Sequence, residues 1–140
     1  FTVNAMAREV DPKTLESIGE IIDPHMGFED LKNNILRCVG NPNERFFEDG
    51  LRILRAVRFV ITKGFDIEEE LHSALLTEDW WDFVRKTVSE ERIREELTKM
   101  FKHDTTETLR FLMHGCSFRA IDCLFGGTTN LWLKVTSEKK

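Results

Sequence analysis

The sequence predicts a mainly α-helical fold preceded by a small β edge. Three observations predict it. Positions 1–41 alternate short apolar runs with turn residues. From Glu44 onward, apolar side chains recur at helical spacing. The change of period falls near Asn41-Pro42, which sets the boundary between the two parts.

In the first part, FTVNAMA (1–7), ESIGEIID (16–23) and ILRCVG (35–40) read as strands or strand ends, flanked by Asp-Pro and Gly-Asn-Pro breaks. GFEDLKNN (27–34) reads as a short helical turn. Three short strands make a poor sheet alone, so this part is expected to be the edge of a sheet whose remainder lies outside the chain. In the second part, Leu51, Leu54, Val57 and Ile61 mark a helix that Gly64 stops. A second helix is expected over Ile67 to Leu76. A third opens at Ser89, an N-cap followed by Glu90 and Glu91, and runs through ERIREELTKMFK. Thr105 is expected to cap a fourth, TETLRFLMHG, ended by Gly115, and a fifth covers Ser117 to Phe125. Residues 127–140 form a tail that ends in a charged run.

Hydrophobic residues make up 41% and charged residues 32%, as in soluble globular chains. No apolar run approaches the roughly 20 residues of a membrane helix, so no membrane partner is expected. FTVNAMAREV lacks the pattern of a signal peptide and does not begin with Met, which points to a chain cut from a longer one. The net charge of −5 excludes a generally basic nucleic-acid binder; any polyanion must meet a local cluster. Cys38, Cys116 and Cys123 are odd in number and not spaced for a metal, and read as small buried thiols of a reducing compartment. His25, His72, His103 and His114 show no ligand spacing. Trp80, Trp81 and the phenylalanines, Phe47 among them, read as packing between helices.

EDGLRILRAVRF (48–59) carries the chemistry. Asp49 and Arg52 stand i, i+3, while Glu48–Arg52 and Arg45–Asp49 stand i, i+4. Arg55 and Arg58 continue the stripe in steps of three. A solvated face laced with ion pairs would explain the charges. Gly50 would not fit it, because glycine costs roughly 1 kcal/mol inside a helix. It reads instead as clearance for a flat group beside the acid–arginine pair. A carboxylate accepts and a guanidinium donates. Cytosine and adenine offer an amino donor beside an acceptor and match the pair. Uracil and guanine place a carbonyl against the carboxylate. A wrongly paired buried polar group costs about 1–3 kcal/mol, so one such pair accepts C and A and rejects U and G. The arginines further along suit a triphosphate.

Four motifs in order resemble the class II tRNA nucleotidyltransferases, the CCA-adding enzymes, with the related bacterial poly(A) polymerases. FTVNAMA is similar to the segment just after the family's Arg-Arg-Asp motif. DPHMGFEDL (23–31) is similar to its connector between catalytic head and neck. RFFEDGLRILRAVRF (45–59) is similar to its nucleotide-reading motif, and SEERIREELTKMF (89–101) to its neck helix motif. The resemblance covers about residues 1–102. It implies a C-terminal edge of the head over 1–41, a helical neck over 42–126 and a tail over 127–140. It implies that Asp49 and Arg52 are the protein template for CTP and ATP and that Arg55 and Arg58 lie along the same nucleotide site. Glu48 would brace Arg52 or a neighbouring arginine such as Arg92. Asn4 would lie near the site, and Asp23 and Asp30 would join head to neck. The tRNA 3′ end and the missing head would be the partners, in the cytoplasm or an organelle. Mg²⁺ is expected in the complete enzyme. The chain has no Asp-x-Asp pair and no glycine-rich nucleotide loop, so it is expected to be inactive alone. A non-catalytic nucleotide- or RNA-binding remnant, a poly(A) polymerase and a structural helical domain are the alternatives.

Overall fold

The computed structural model describes residues 1–10, 13, 17–117 and 119–125. It is mainly helical, with two small two-stranded sheets. β1 (Ala7–Val10) and β2 (Ser17–Ile22) form an antiparallel hairpin with Ala7 opposite Ile22 and Val10 opposite Ser17. α1 (Gly27–Lys32) comes next, as expected for GFEDLKNN. β3 (Ile35–Leu36) pairs in parallel with β4 (Asp66–Ile67), and α2 (Pro42–Glu48) and α3 (Leu51–Lys63) form the crossover between them. Then come α4 (Glu69–Leu75), α5 (Glu78–Thr87), α6 (Glu90–His103), α7 (Thr105–Arg110), a π-turn over Phe111–Gly115, and α8 (Arg119–Phe125).

Several expectations are corrected. FTVNAMA is not one strand: Thr2–Asn4 form a 3-10 turn, and β1 begins only at Ala7. The Ala5 N–H closes back on the Thr2 carbonyl at 3.0 Å, which uses locally the groups a strand would offer a neighbour. The apolar periodicity from Glu44 spans two helices, because Asp49 adopts an extended conformation (φ −153°, ψ 108°) between α2 and α3. Ile67 belongs to β4, and the Glu68 carboxylate caps α4 by accepting from the Glu70 and Leu71 N–H groups. α5 is not among the expected helices, although Glu78 and Asp79 in its first turn and Arg85 and Lys86 in its last suit a helix dipole. Asp104, not Thr105, caps α7 through the Glu107 N–H at 2.9 Å. The Ser89 cap and the αL residue Gly64 (φ 68°) stand as expected. The tail over 127–140 lies outside the described residues.

Packing explains the arrangement. Leu36, Phe46, Ile53, Leu54, Leu71, Leu75, Trp81, Met100 and Leu112 are fully buried in one core. Trp81 donates its indole N–H to the Leu75 carbonyl at 2.8 Å, so its polar atom is satisfied there. Trp80 donates to Asn43 Oδ1 at 2.8 Å and packs edge-on against Phe46 and Phe83. Phe47 departs from the packing expectation: it is 72% exposed, and its ring stacks on Phe83. All three cysteines are buried and unpaired. Among the described residues no helix is long and apolar enough to cross a membrane.

Candidate nucleotide-reading site

The turn at Asp49-Gly50 builds the site. The Asp49 N–H donates to the Arg45 carbonyl and ends α2. Its Oδ1 accepts from the Leu51 N–H at 3.0 Å and starts α3. The other carboxylate oxygen faces Arg92 Nη2 of α6 at 3.5 Å. Arg52 lies in the first turn of α3. Its Nη1 donates to Glu48 Oε2 at 2.7 Å and to the Arg45 carbonyl at 3.1 Å. Both Nη1 protons are thereby used, and the forked Nε/Nη2 edge has no partner among the described residues. Glu48 takes a second arginine, Arg45 Nη2, on Oε1 at 3.0 Å. The acceptor Asp49 and the donor Arg52 are each 37% exposed in their side chains, so both are held yet reachable.

Gly50 has a different reason from the expected clearance. It is buried, and a Cβ there would meet Thr87 Oγ1 at 2.9 Å and Val88 Cγ2 at 3.1 Å. The missing side chain lets the end of α5 close against the turn. The space is filled by protein rather than left for a base.

The other expected residues fall as described next to their partners. Arg55 enters no ion pair among the described residues. Arg58 is turned away onto α6, where its Nε donates to the Glu96 carboxylate, and its guanidinium lies 4.9 Å from the Phe59 ring centre. Arg92 meets Asp49 rather than Glu48, and Arg45 meets Glu44 and Glu48 rather than Asp49. Asn4 is exposed at the end of the first 3-10 turn. Asp23 caps α1 by accepting from the Gly27 and Phe28 N–H groups at 2.6 and 2.8 Å. Asp30 is buried and ties two segments together, accepting from Thr2 Oγ1 at 2.6 Å and Arg37 Nε at 3.2 Å. Both are joints. Glu96, which the sequence does not single out, lies in the SEERIREELTKMF segment four residues beyond Arg92.

The donor set does not fit a metal. Glu48 and Asp49 are both engaged by arginines, and among the described residues no group of three His, Cys, Asp or Glu side chains could hold an ion. Behind the site, burial pushes the Cys38 thiol up to about 11, with the positive charge of Arg52 pulling it partly back. A groove of about 820 Å³ runs between α6 and α8, and a shallower one of about 500 Å³ is lined by Arg45, Phe47, Glu48 and Trp80. The second adjoins the reading pair through Glu48.

No family model matches the chain. The CCA-adding enzyme of Lactobacillus helveticus is 45% identical over 100 residues, which is 71% of this chain and 23% of that protein. The CCA-adding enzyme of Enterococcus faecalis is likewise 45% identical over 100 residues, 22% of its length. The chain belongs to the CCA-adding enzyme family. It spans about a quarter of the length of the curated relatives that it matches. Two solved structures of the family superpose on it. The Bacillus stearothermophilus CCA-adding enzyme in complex with CTP matches with a TM-score of 0.64 at 32% identity, over 80% of this chain and 26% of that one. The Thermotoga maritima CCA-adding enzyme complexed with tRNA matches with a TM-score of 0.68 at 31% identity, over 90% and 29%. The mainly helical fold is thus a family fold.

Proposed function

We propose that this chain is the nucleotide-reading part of a tRNA nucleotidyltransferase, which selects incoming CTP and ATP for addition to the tRNA 3′ end in the cytoplasm. Residues 1–41 belong to the edge of its head, residues 42–126 to its neck and residues 127–140 to a tail. One observation carries the reading. An acceptor, Asp49, and the free fork of a donor, Arg52, stand three residues apart, each fixed from behind by a partner of opposite charge. An incoming base that offers an amino group beside a ring acceptor satisfies both. Because Arg92 and Glu48 hold the two side chains, little ordering remains to be done on binding. Arg55 extends the donor surface toward the triphosphate. The CTP and tRNA complexes of the similar enzymes support the same assignment.

The acids that the described residues bring into bonds hold the structure. Asp30 ties segments, Glu68 caps a helix, and Glu90 and Glu91 open α6. Mg²⁺-dependent transfer is therefore assigned to the catalytic head and not to these residues, and the 140-residue chain alone is expected to incorporate no CMP or AMP.

The test is nucleotide binding to the purified chain by equilibrium dialysis. CTP and ATP should bind more tightly than UTP and GTP by roughly 5- to 150-fold, the equivalent of about 1–3 kcal/mol for one mispaired polar group. Arg52→Ala should remove most of that margin. An Arg52→Ala chain that still ranks the four nucleotides as the parent does would overturn the reading. Binding of ATP without CTP would move the assignment to poly(A) synthesis.

A further inference from the structure

α6 touches α3 with two charges, not one. Arg92 and Glu96 stand i, i+4 on α6 and so share a face. Arg92 meets Asp49 at the start of α3, and Glu96 meets Arg58 further along it. The two contacts differ in depth. Arg92 and Asp49 are substantially exposed, whereas the Glu96 side chain is only 8% exposed and that of Arg58 18%. Around them, Ile93, Leu97 and Met100 of α6 share one core with Ile53, Leu54, Val57 and Ile61 of α3.

The signs alternate along both partners. The α6 face reads plus then minus, and the α3 side reads minus then plus. A slide of α6 by one turn toward the start of α3 would bring Glu96 level with Asp49, a meeting of two carboxylates, and would take Glu96 from Arg58. The opposite slide would carry Arg92 past Asp49 and break that pair. The apolar seam alone would tolerate such a slide, because burial of apolar area is not directional. The buried pair is not tolerant: a carboxylate left without its guanidinium there is expensive.

We propose that Glu96 is a positioning residue for base choice: its bond to Arg58 fixes the register in which Arg92 reaches and orients Asp49. The inference rests on the reading of Asp49 and Arg52 as the base-selecting pair. It gives Arg58 a role through Glu96 rather than through the triphosphate. It also makes selectivity depend on a side chain that no base can touch.

The test measures dissociation constants of CTP and UTP for the parent chain, Glu96→Gln, Arg92→Ala, the double variant, and the charge-swapped Arg58→Glu/Glu96→Arg. Each is assayed below its own melting temperature by circular dichroism. The parent should prefer CTP. Glu96→Gln should cut the preference about five-fold, mainly by weakening CTP, and Arg92→Ala should do the same. In the double variant the loss should not add, because both changes release the same carboxylate. The charge swap should keep the preference, since it restores an ion pair in the same register. A folded Glu96→Gln chain with the parental CTP/UTP ratio, additive losses in the double variant, or a swap that folds and loses the preference would each overturn the proposal. A parent chain with no preference would instead overturn the reading of the site itself, and this proposal with it.

Discussion

A methyl group at position 50 tests the joint between α2 and α3. Gly50 has φ −60° and ψ −23°, a conformation alanine adopts without strain. By that measure Gly50→Ala would stabilise by about 0.4–1 kcal/mol, through the unfolded chain. The surroundings oppose this. The new Cβ would stand 2.9 Å from Thr87 Oγ1, 3.1 Å from Val88 Cγ2 and 3.4 Å from Phe83 Cδ1. Thr87 is exposed and can turn, but its hydroxyl donates to the Phe83 carbonyl at 2.7 Å and would lose that bond. Val88 is buried and has little room to yield. Overpacking of this kind costs about 1–3 kcal/mol, so a net loss of roughly 1–1.5 kcal/mol is expected. For a chain of this size that is a fall in Tm of roughly 3–6 °C by differential scanning calorimetry. Thr87→Ala alone should be nearly neutral, because the site is exposed. Combined with Gly50→Ala it should recover about half the loss, a non-additivity expected only of groups that touch. A Gly50→Ala chain that melts at or above the parent would refute the close-approach argument, as would strict additivity with Thr87→Ala.

Charge and burial give two further outcomes. The Asp82 carboxyl lies below the usual range, first because Arg119 donates to it at 2.8 Å and then because the Cys123 thiol does so. A depressed carboxyl contributes stability that is present above its unfolded value of about 3.9 and lost as pH falls through the folded one. Asp82→Asn should therefore flatten the dependence of Tm on pH in that acid window, and an unchanged slope would remove the pair from the account. Burial pushes the Cys38 thiol up to about 11 and raises that of Cys116 as well. Iodoacetamide near neutral pH should leave the native chain unlabelled while labelling all three cysteines in denaturant, and rapid native labelling of Cys116 would contradict its burial. Because the folded value is raised, the Cys38 contribution to stability should persist below the unfolded thiol value and fade as pH rises toward about 11.

Signals that act within one turn are legible in the sequence. Ser89 and Gly64 mark helix ends because capping needs only neighbouring backbone groups. Glu48 meets Arg52 as the i, i+4 spacing suggests, but across the α2–α3 break, where Arg52 also donates to the Arg45 carbonyl. The order of the four motifs is enough to point to the family that the similar enzymes share. The features that escape are set by distant chain. Asp49 bonds Arg92 rather than Arg45 because its extended backbone turns the carboxylate off the helical face. The reason for Gly50 lies in α5, an element whose charge pattern is masked by its tryptophans. Arg58 looks free in the sequence because its partner, Glu96, is 38 residues away. β4 is two residues long and exists only because β3 is there to meet it.

That short pairing has a kinetic consequence. Ile35–Leu36 and Asp66–Ile67 are joined by backbone bonds, and the Asn34 side chain donates to the Gly64 carbonyl 30 residues away. The chain between them, including both arginine-bearing helices, is thereby a closed loop. Pairing β3 with β4 therefore carries the closure entropy of a loop of this length, a cost that the packing of α2 and α3 inside it must offset. Once closed, the loop restrains both ends of α2–α3 together. The arginine-bearing stretch is then expected to open as a unit, rather than fray from one end, in hydrogen exchange.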